Sequence, residues 1–283
     1  VGVLAAWPRR APADGTFIEK AEEAVTILWL VPLVIPLLWL TGFLLATDFS
    51  VPRSDTRALR RVLVIFPHAD DEAVTCGGFL HLLARRGCAV TLVILTKGER
   101  GTPDATLDPG LKDIRAKEAQ TVAAILGIAR CIQEDFGDGE LHMKKRELTA
   151  FVAATIEREN PDLLITYDLA GLYGHPDHIA CSEVVTELHL SRFPAIPLWY
   201  ATLSKRVLER TTLPAHLTSA ADSRRNRAFA THRLFIGTSV FPKIRAWYAY
   251  KSQRASLTEG IRRFLPIWFF LSMALFEYFA EAR

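Results

Sequence analysis

Two short stretches hold residue types that can do chemistry together. The first is Pro67-His68-Ala69-Asp70-Asp71-Glu72, and the second is Gly174-His175-Pro176-Asp177-His178. Imidazole and carboxylate are the ligand types of a Zn²⁺-like ion. The first stretch alone does not complete a site, and the second supplies what it lacks. A catalytic zinc centre uses three protein ligands and keeps one position open, which lowers the pKa of a bound water to about 7. If His68, Asp71 and His178 are the three ligands, Asp70 is free to accept the proton of that water. His175, if protonated, can stabilise an oxyanion or protonate a leaving amine, and Asp177 can hold His175 charged through an ion pair. Single occurrences are weak signals, because an Asp-Asp pair is common at helix N-termini, where it favours the dipole. The conjunction of H-x-D-D with H-x-x-H is much more specific. A rival chemistry, Mg²⁺ on Asp70 and Asp71 for phosphoryl transfer, is opposed by the imidazoles, since Mg²⁺ prefers oxygen.

These residues need a scaffold that brings two distant turns together. Val62-Leu63-Val64-Ile65-Phe66 reads as a buried strand running straight into the first motif. A helix over 72–86 follows, stopped by Gly87. A strand over 89–95, a helix over 111–126 ended by Gly127 and a short strand over 129–133 come next. A helix over 140–159 and a strand over 163–167 lead to the second motif, where Pro176 suits the first turn of a helix. A further strand is expected over 198–203, and the aromatic residues Trp247, Tyr248 and Tyr250 read as a helix. The β-α-β-α rhythm predicts an α/β fold, a Rossmann-like, mostly parallel sheet with helices on both faces. In such sheets ligands bind beyond the carboxyl ends of the strands, where the first motif lies.

The chain has 283 residues, half of them hydrophobic, enough for one substantial domain with accessory segments. A net charge of +3 with 31 acidic residues gives no nucleic-acid signature. Cys76, Cys88, Cys131 and Cys181 form no C-x-x-C pair and read as small buried hydrophobes in a reducing compartment. Arg224, Arg225, Arg227 and Arg233 form a basic region, read as a solvated face with anionic ligands as the alternative. Residues 25–46 carry no charge over 22 positions. As a helix they would rise about 33 Å, enough for a hydrocarbon core of about 30 Å, and are expected to form a transmembrane anchor. Arg53, Arg57, Arg60 and Arg61 follow it, so the positive-inside rule places the main domain in the cytoplasm of a single-pass membrane protein. The expected organisation is a tail over 1–24, the anchor over 25–46, a linker over 47–60, the catalytic domain over 61–258 and an amphipathic or membrane-interfacial helix over 259–283.

The two motifs together resemble the PIG-L/LmbE-like family of zinc-dependent de-N-acetylases. Weaker matches at Thr96-Lys97-Gly98-Glu99, Arg115 to Glu118 and Phe136-Gly137-Asp138-Gly139 extend the likeness over about 61–253. The resemblance implies His68, Asp71 and His178 as ligands of Zn²⁺, or of Fe²⁺ or another divalent ion. It implies Asp70 as general base, His175 as acid or oxyanion partner with Asp177 beside it, Tyr173 as an aid in polarising the carbonyl, and Arg115 as a residue that reaches substrate. Ala69 stands where the family usually has proline. The implied reaction is removal of the N-acetyl group from an N-acetylglucosamine-type conjugate, lipid-linked if the anchor has a substrate role. A non-catalytic, membrane-tethered sugar-binding protein would lack a base or ligand, and none is missing here.

Overall fold

The computed structural model describes residues 32–101, 108–210, 227–253 and 266–282. The chain divides into two units, 1–42 and 43–283. The expected tail over 1–24 lies outside the described residues. The expected anchor does so in part: a helix, α1, is described over 32–46, and residues 25–31 are not described.

The single-pass membrane assignment, and with it the cytoplasmic placement of the domain, is overturned. Among the described residues no helix is long and apolar enough to cross a membrane. The described helix of 32–46 rises about 22 Å, short of a core of about 30 Å.

Residues 43–283 build a seven-stranded sheet in the order β3-β2-β1-β4-β5-β7-β6. The strands are β1 (Arg61–Phe66), β2 (Ala89–Ile94), β3 (Arg130–Gln133), β4 (Leu163–Thr166), β5 (Leu198–Thr202), β6 (His232–Phe235) and β7 (Phe276–Glu281). The first five pair in parallel, with Val62 opposite both Val90 and Leu163. Strand β7 is antiparallel to both β5 and β6. The expected mostly parallel sheet is therefore present, with an antiparallel pair at one edge.

Strand β1 is apolar from Val62 to Phe66, where both its faces are covered. Val62, Val64 and Phe66 enter one core with Phe79, Leu80 and Val122, while Leu63 and Ile65 enter the other with Val152, Ile156 and Val184. The first core is roofed by α3 (Gly77–Arg85), α4 (Pro109–Leu126) and α8 (Val240–Ala249), the second by α5 (Lys145–Glu159) and α7 (Pro176–Ser191). The order of β1 to β5 reverses direction at β1–β4, so the crevice opens at the carboxyl ends of those two strands. Both motifs leave the sheet there.

Several boundaries differ from the sequence reading. The helix expected over 72–86 is two, α2 (Asp71–Thr75) and α3, broken at Cys76 with φ −136°. Segment 47–60, expected as a linker, is packed: Asp48 N–H donates to the Tyr278 hydroxyl at 2.8 Å, and Arg233 N–H to the Pro52 carbonyl at 2.9 Å. The C-terminal block, expected as an amphipathic or membrane-interfacial helix, is described over 266–282 as a short helix, α9 (Ile267–Met273), followed by β7. Buried on both faces, β7 lacks the two-residue alternation that would have marked it as a strand. Glu277, within it, reaches the N-terminus of α3, accepting from the N–H groups of Gly78 and Phe79 at 2.9 and 2.7 Å, and pairs with Lys243 at 2.6 Å.

Candidate metal centre

The loop after β1 delivers His68, Asp70 and Asp71 in a tight turn. Asp70 has φ 130°, a conformation L-residues rarely adopt, and α2 starts at Asp71. The loop after β4 delivers Tyr167 and Asp168, then α6, a single kinked turn (Gly171–Gly174), then His175 as N-cap of α7. His178 lies one turn into α7 and is fully buried.

The expected ligands converge. His68 Nδ1 is 3.2 Å from His178 Nε2 and 3.8 Å from Asp71 Oδ2, and His178 Nε2 is 3.4 Å from Asp71 Oδ1. The outer nitrogen of each ring is committed elsewhere. His178 Nδ1 lies 3.2 Å from the Gly171 carbonyl, to which it must donate. His68 Nε2 lies 3.1 Å from Asp138 Oδ1 and 3.2 Å from Asp177 Oδ2, carboxylates that only accept. These partners fix the tautomers and turn the two inner nitrogens toward each other. Two ring lone pairs and a carboxylate meeting in a buried space repel unless a cation or a proton lies between them. This donor set of two imidazoles and one carboxylate fits a zinc-like ion.

The electrostatics agree. Burial raises the Asp71 pKa to about 7, opposed by the His68 charge, with the Asp70 charge adding to the rise. A carboxylate so placed gains from a cation at hand. Burial works against charge on His68, but its bonds to Asp138 and Asp177 outweigh this and push the ring well above its ordinary value. Asp138, despite burial, is held well below the usual carboxylate range by its bond to His68. Nitrogens of His68, His175 and His178 also lie within 4.8 Å of one another, as do His68, Asp138 and Asp177. In the second group the carboxylates sit behind His68 and orient it.

Asp70 is held on the other side. Arg115, 2% exposed, donates from one terminal nitrogen to the Ala69 carbonyl at 2.6 Å, and that nitrogen lies 3.6 Å from Asp70 Oδ2. Burial raises the Asp70 pKa, and Arg115 and His68 oppose the rise. The expected substrate residue Arg115 is thus found holding the turn that carries Asp70. Its room is made by glycines: a Cβ on Gly98 would lie 2.3 Å from Arg115 Nε.

One expectation fails. Asp177 does not pair with His175. Its carboxylate accepts from His68, from Gly139 N–H at 2.7 Å and from Leu141 N–H at 3.2 Å. His175 Nδ1 instead accepts the Asp177 N–H at 3.2 Å. Burial, with the His68 charge adding to it, lowers the His175 pKa to about 4. His175 is therefore a neutral ring with its proton on Nε2. Tyr173 stands edge-on to His178, ring centroids 4.9 Å apart, and burial keeps its hydroxyl protonated.

Sequence reasoning missed two participants. Tyr167 stacks flat on His178, centroids 4.5 Å apart, and donates its hydroxyl to Asp71 at 2.9 Å. Asp138 orients His68 from the Gly137-Asp138-Gly139 turn; the two glycines, both at positive φ in the structure, were the available signal.

Comparisons place this arrangement. Residues 63–189 match the PIG-L family, described as GlcNAc-PI de-N-acetylase. A probable N-acetyl-alpha-D-glucosaminyl L-malate deacetylase of Bacillus anthracis is 33% identical over 165 residues, 56% of this chain and 72% of that protein. The diacetylchitobiose deacetylase of Thermococcus kodakarensis is 36% identical over 46% of this chain, which spans about half of that protein (49%). The solved N,N'-diacetylchitobiose deacetylase of Pyrococcus horikoshii superposes with TM-score 0.60 at 20% identity, covering 84% of this chain and 88% of that one. A hydratase from Pseudomonas putida shares the fold at TM-score 0.55 and 21% identity, covering 79% and 96%, so the fold alone does not set the reaction. With the paired motifs, their convergence and these relatives together, the chain belongs to the PIG-L/LmbE-like family of de-N-acetylases.

Proposed function

We propose that this chain hydrolyses the N-acetyl group of an N-acetylglucosamine-type conjugate, using a divalent ion held by His68, Asp71 and His178. The observation that carries the reading is the approach of His68 Nδ1 and His178 Nε2 to 3.2 Å beside the Asp71 carboxylate. A zinc-like ion at such a site supplies Lewis acidity toward a carbonyl and makes water a nucleophile near neutral pH. Fe²⁺ would offer related chemistry.

The chain's own residues supply the rest. Asp70, its proton affinity raised by burial, takes the proton of the attacking water. His175, neutral, offers its Nε2–H to the oxygen on which charge develops, and the Tyr173 hydroxyl is a second donor. Because His175 carries no spare proton, the proton that Asp70 has taken is the one passed to the leaving nitrogen. The amide C–N bond breaks, and acetate and a free amino sugar result. Asp177 and Asp138 hold His68, and Arg115 holds the Asp70 turn.

The relatives' names motivate the substrate panel: N-acetylglucosamine linked to malate or inositol, and diacetylchitobiose. Protein loaded with Zn²⁺ is expected to release acetate from at least one of these. No release from any of them by metal-loaded protein refutes the reading. A Mg²⁺ phosphoryl-transfer site is disfavoured by the two facing imidazole nitrogens.

A further inference from the structure

His178 is aimed by a turn that is itself under constraint. Its Nδ1 partner is the Gly171 carbonyl, and the next residue, Leu172, has φ 62° and ψ −56°. That is the conformation of the central residue of a positive-φ γ-turn, rare and strained, in a buried leucine. Gly171 has φ 60°, and a Cβ there would lie 2.8 Å from His178 Cβ. Something must hold the chain in this shape.

The structure assigns that task to Asp168, as a positioning residue for the metal centre. Asp168 is 1% exposed. Its Oδ1 accepts the Leu172 N–H at 3.0 Å, and its Oδ2 accepts the Ala228 N–H at 2.9 Å. Its own carbonyl accepts the Gly171 N–H at 2.8 Å. Arg227, next to Ala228, donates to the Leu172 carbonyl at 3.1 Å. Asp168 and Arg227 thus clasp Leu172 by its N–H and its carbonyl, and stitch segment 227–228 to the turn that carries Gly171, Tyr173 and His175.

The chemistry explains the residue type. Two N–H groups from separate segments converge on one side chain, and a carboxylate accepts both. An amide presents only one acceptor oxygen, so Asp168→Asn sets an N–H against an N–H. The turn then loses either Leu172 or Ala228, and the Gly171 carbonyl is free to leave His178. Without that acceptor the His178 ring is no longer held with Nε2 bare toward His68 and Asp71.

This inference rests on the reading of His68, Asp71 and His178 as metal ligands, and its test does not depend on catalysis. Zn²⁺ affinity is measured by chelator competition, and the visible spectrum of the Co²⁺-loaded protein reports ligand geometry. Thermal unfolding of the metal-free protein reports stability. Asp168→Asn is expected to weaken Zn²⁺ binding about 10- to 100-fold, with an altered Co²⁺ spectrum. Arg227→Ala removes one clasp and is expected to weaken Zn²⁺ binding by a smaller factor in the same direction. Should Asp168→Asn fail to fold, Arg227→Ala decides. A purely structural role would lower the melting temperature and leave both metal readouts at wild-type values; that result overturns the proposal, as does a wild-type protein that binds no Zn²⁺. Absence of acetate release, with Zn²⁺ affinity still falling in the variants, refutes the deacetylase reading and leaves this one standing.

Discussion

The pair Lys243–Glu277 makes a sharp test of how the C-terminal strand is tied to the first core. Both side chains are buried, 3% and 1% exposed, and their charged atoms are 2.6 Å apart. Lys243→Met keeps most of the apolar stem and removes the charge. Breaking a buried pair from one side costs about 3–5 kcal/mol, because the remaining charge is uncompensated. Glu277 keeps two backbone N–H donors, from Gly78 and Phe79, which places the expected loss near the low end, about 3 kcal/mol. For a domain of this size that is a fall in Tm of about 6–12 °C. The double variant Lys243→Met with Glu277→Met separates two explanations. If the pair acted only as an ion pair, replacing both charges would restore stability. Because Glu277 also caps α3, the double variant leaves two buried N–H groups without an acceptor, at about 1–3 kcal/mol each, and stability is not restored. Equilibrium unfolding in urea reads both. A single variant within about 1 kcal/mol of wild type, or a double variant as stable as wild type, refutes the reasoning.

Other consequences follow from the site and its supports. Asp70→Asn is expected to lower kcat by about 10²–10⁴ while Zn²⁺ still binds, checked by acetate release alongside metal analysis; unchanged turnover would remove Asp70 as the base. Gly98→Ala places a Cβ against Arg115 at a φ of 67° and is expected to cost at least about 1–2 kcal/mol, read as a shifted urea midpoint. Asp162 accepts the N–H groups of Arg60 and Arg61 at 2.7 and 2.8 Å. Burial opposes its charge, but those bonds and the two guanidinium groups outweigh it, so its pKa lies below the usual value. A depressed folded pKa stabilises above the unfolded value of about 3.9 and loses that contribution as pH falls through the folded one. Asp162→Asn is therefore expected to melt below wild type at pH 7, the gap closing below about pH 4; a gap that persists in acid contradicts the linkage.

Local pattern carried the central part of the fold well. The apolar run 62–66, the glycine after each of the first two helical segments and Pro176 at a helix start all act over a few residues, and the structure follows them. The C-terminal strand was hidden for the opposite reason. Flanked by β5 and β6, Phe276–Glu281 is buried as far as Ala280, and Glu277, on the same side as Phe279, is buried with it, so burial does not alternate along the strand to betray its period. The run 25–46 was judged by length and lack of charge, while the described helix covers only 32–46.

By itself the sequence determined which side chains are available: a histidine and two carboxylates after a buried strand, and two histidines around a proline. Those are matters of residue type and local spacing. Only the tertiary structure decided how the groups are partnered. Asp177 serves His68 rather than His175, Tyr167 and Asp138 join from other loops, and Arg115 lies beneath Asp70. Spacing along the chain constrains which side chains can meet, but charge and hydrogen-bonding roles depend on burial and on neighbours brought in from across the sheet.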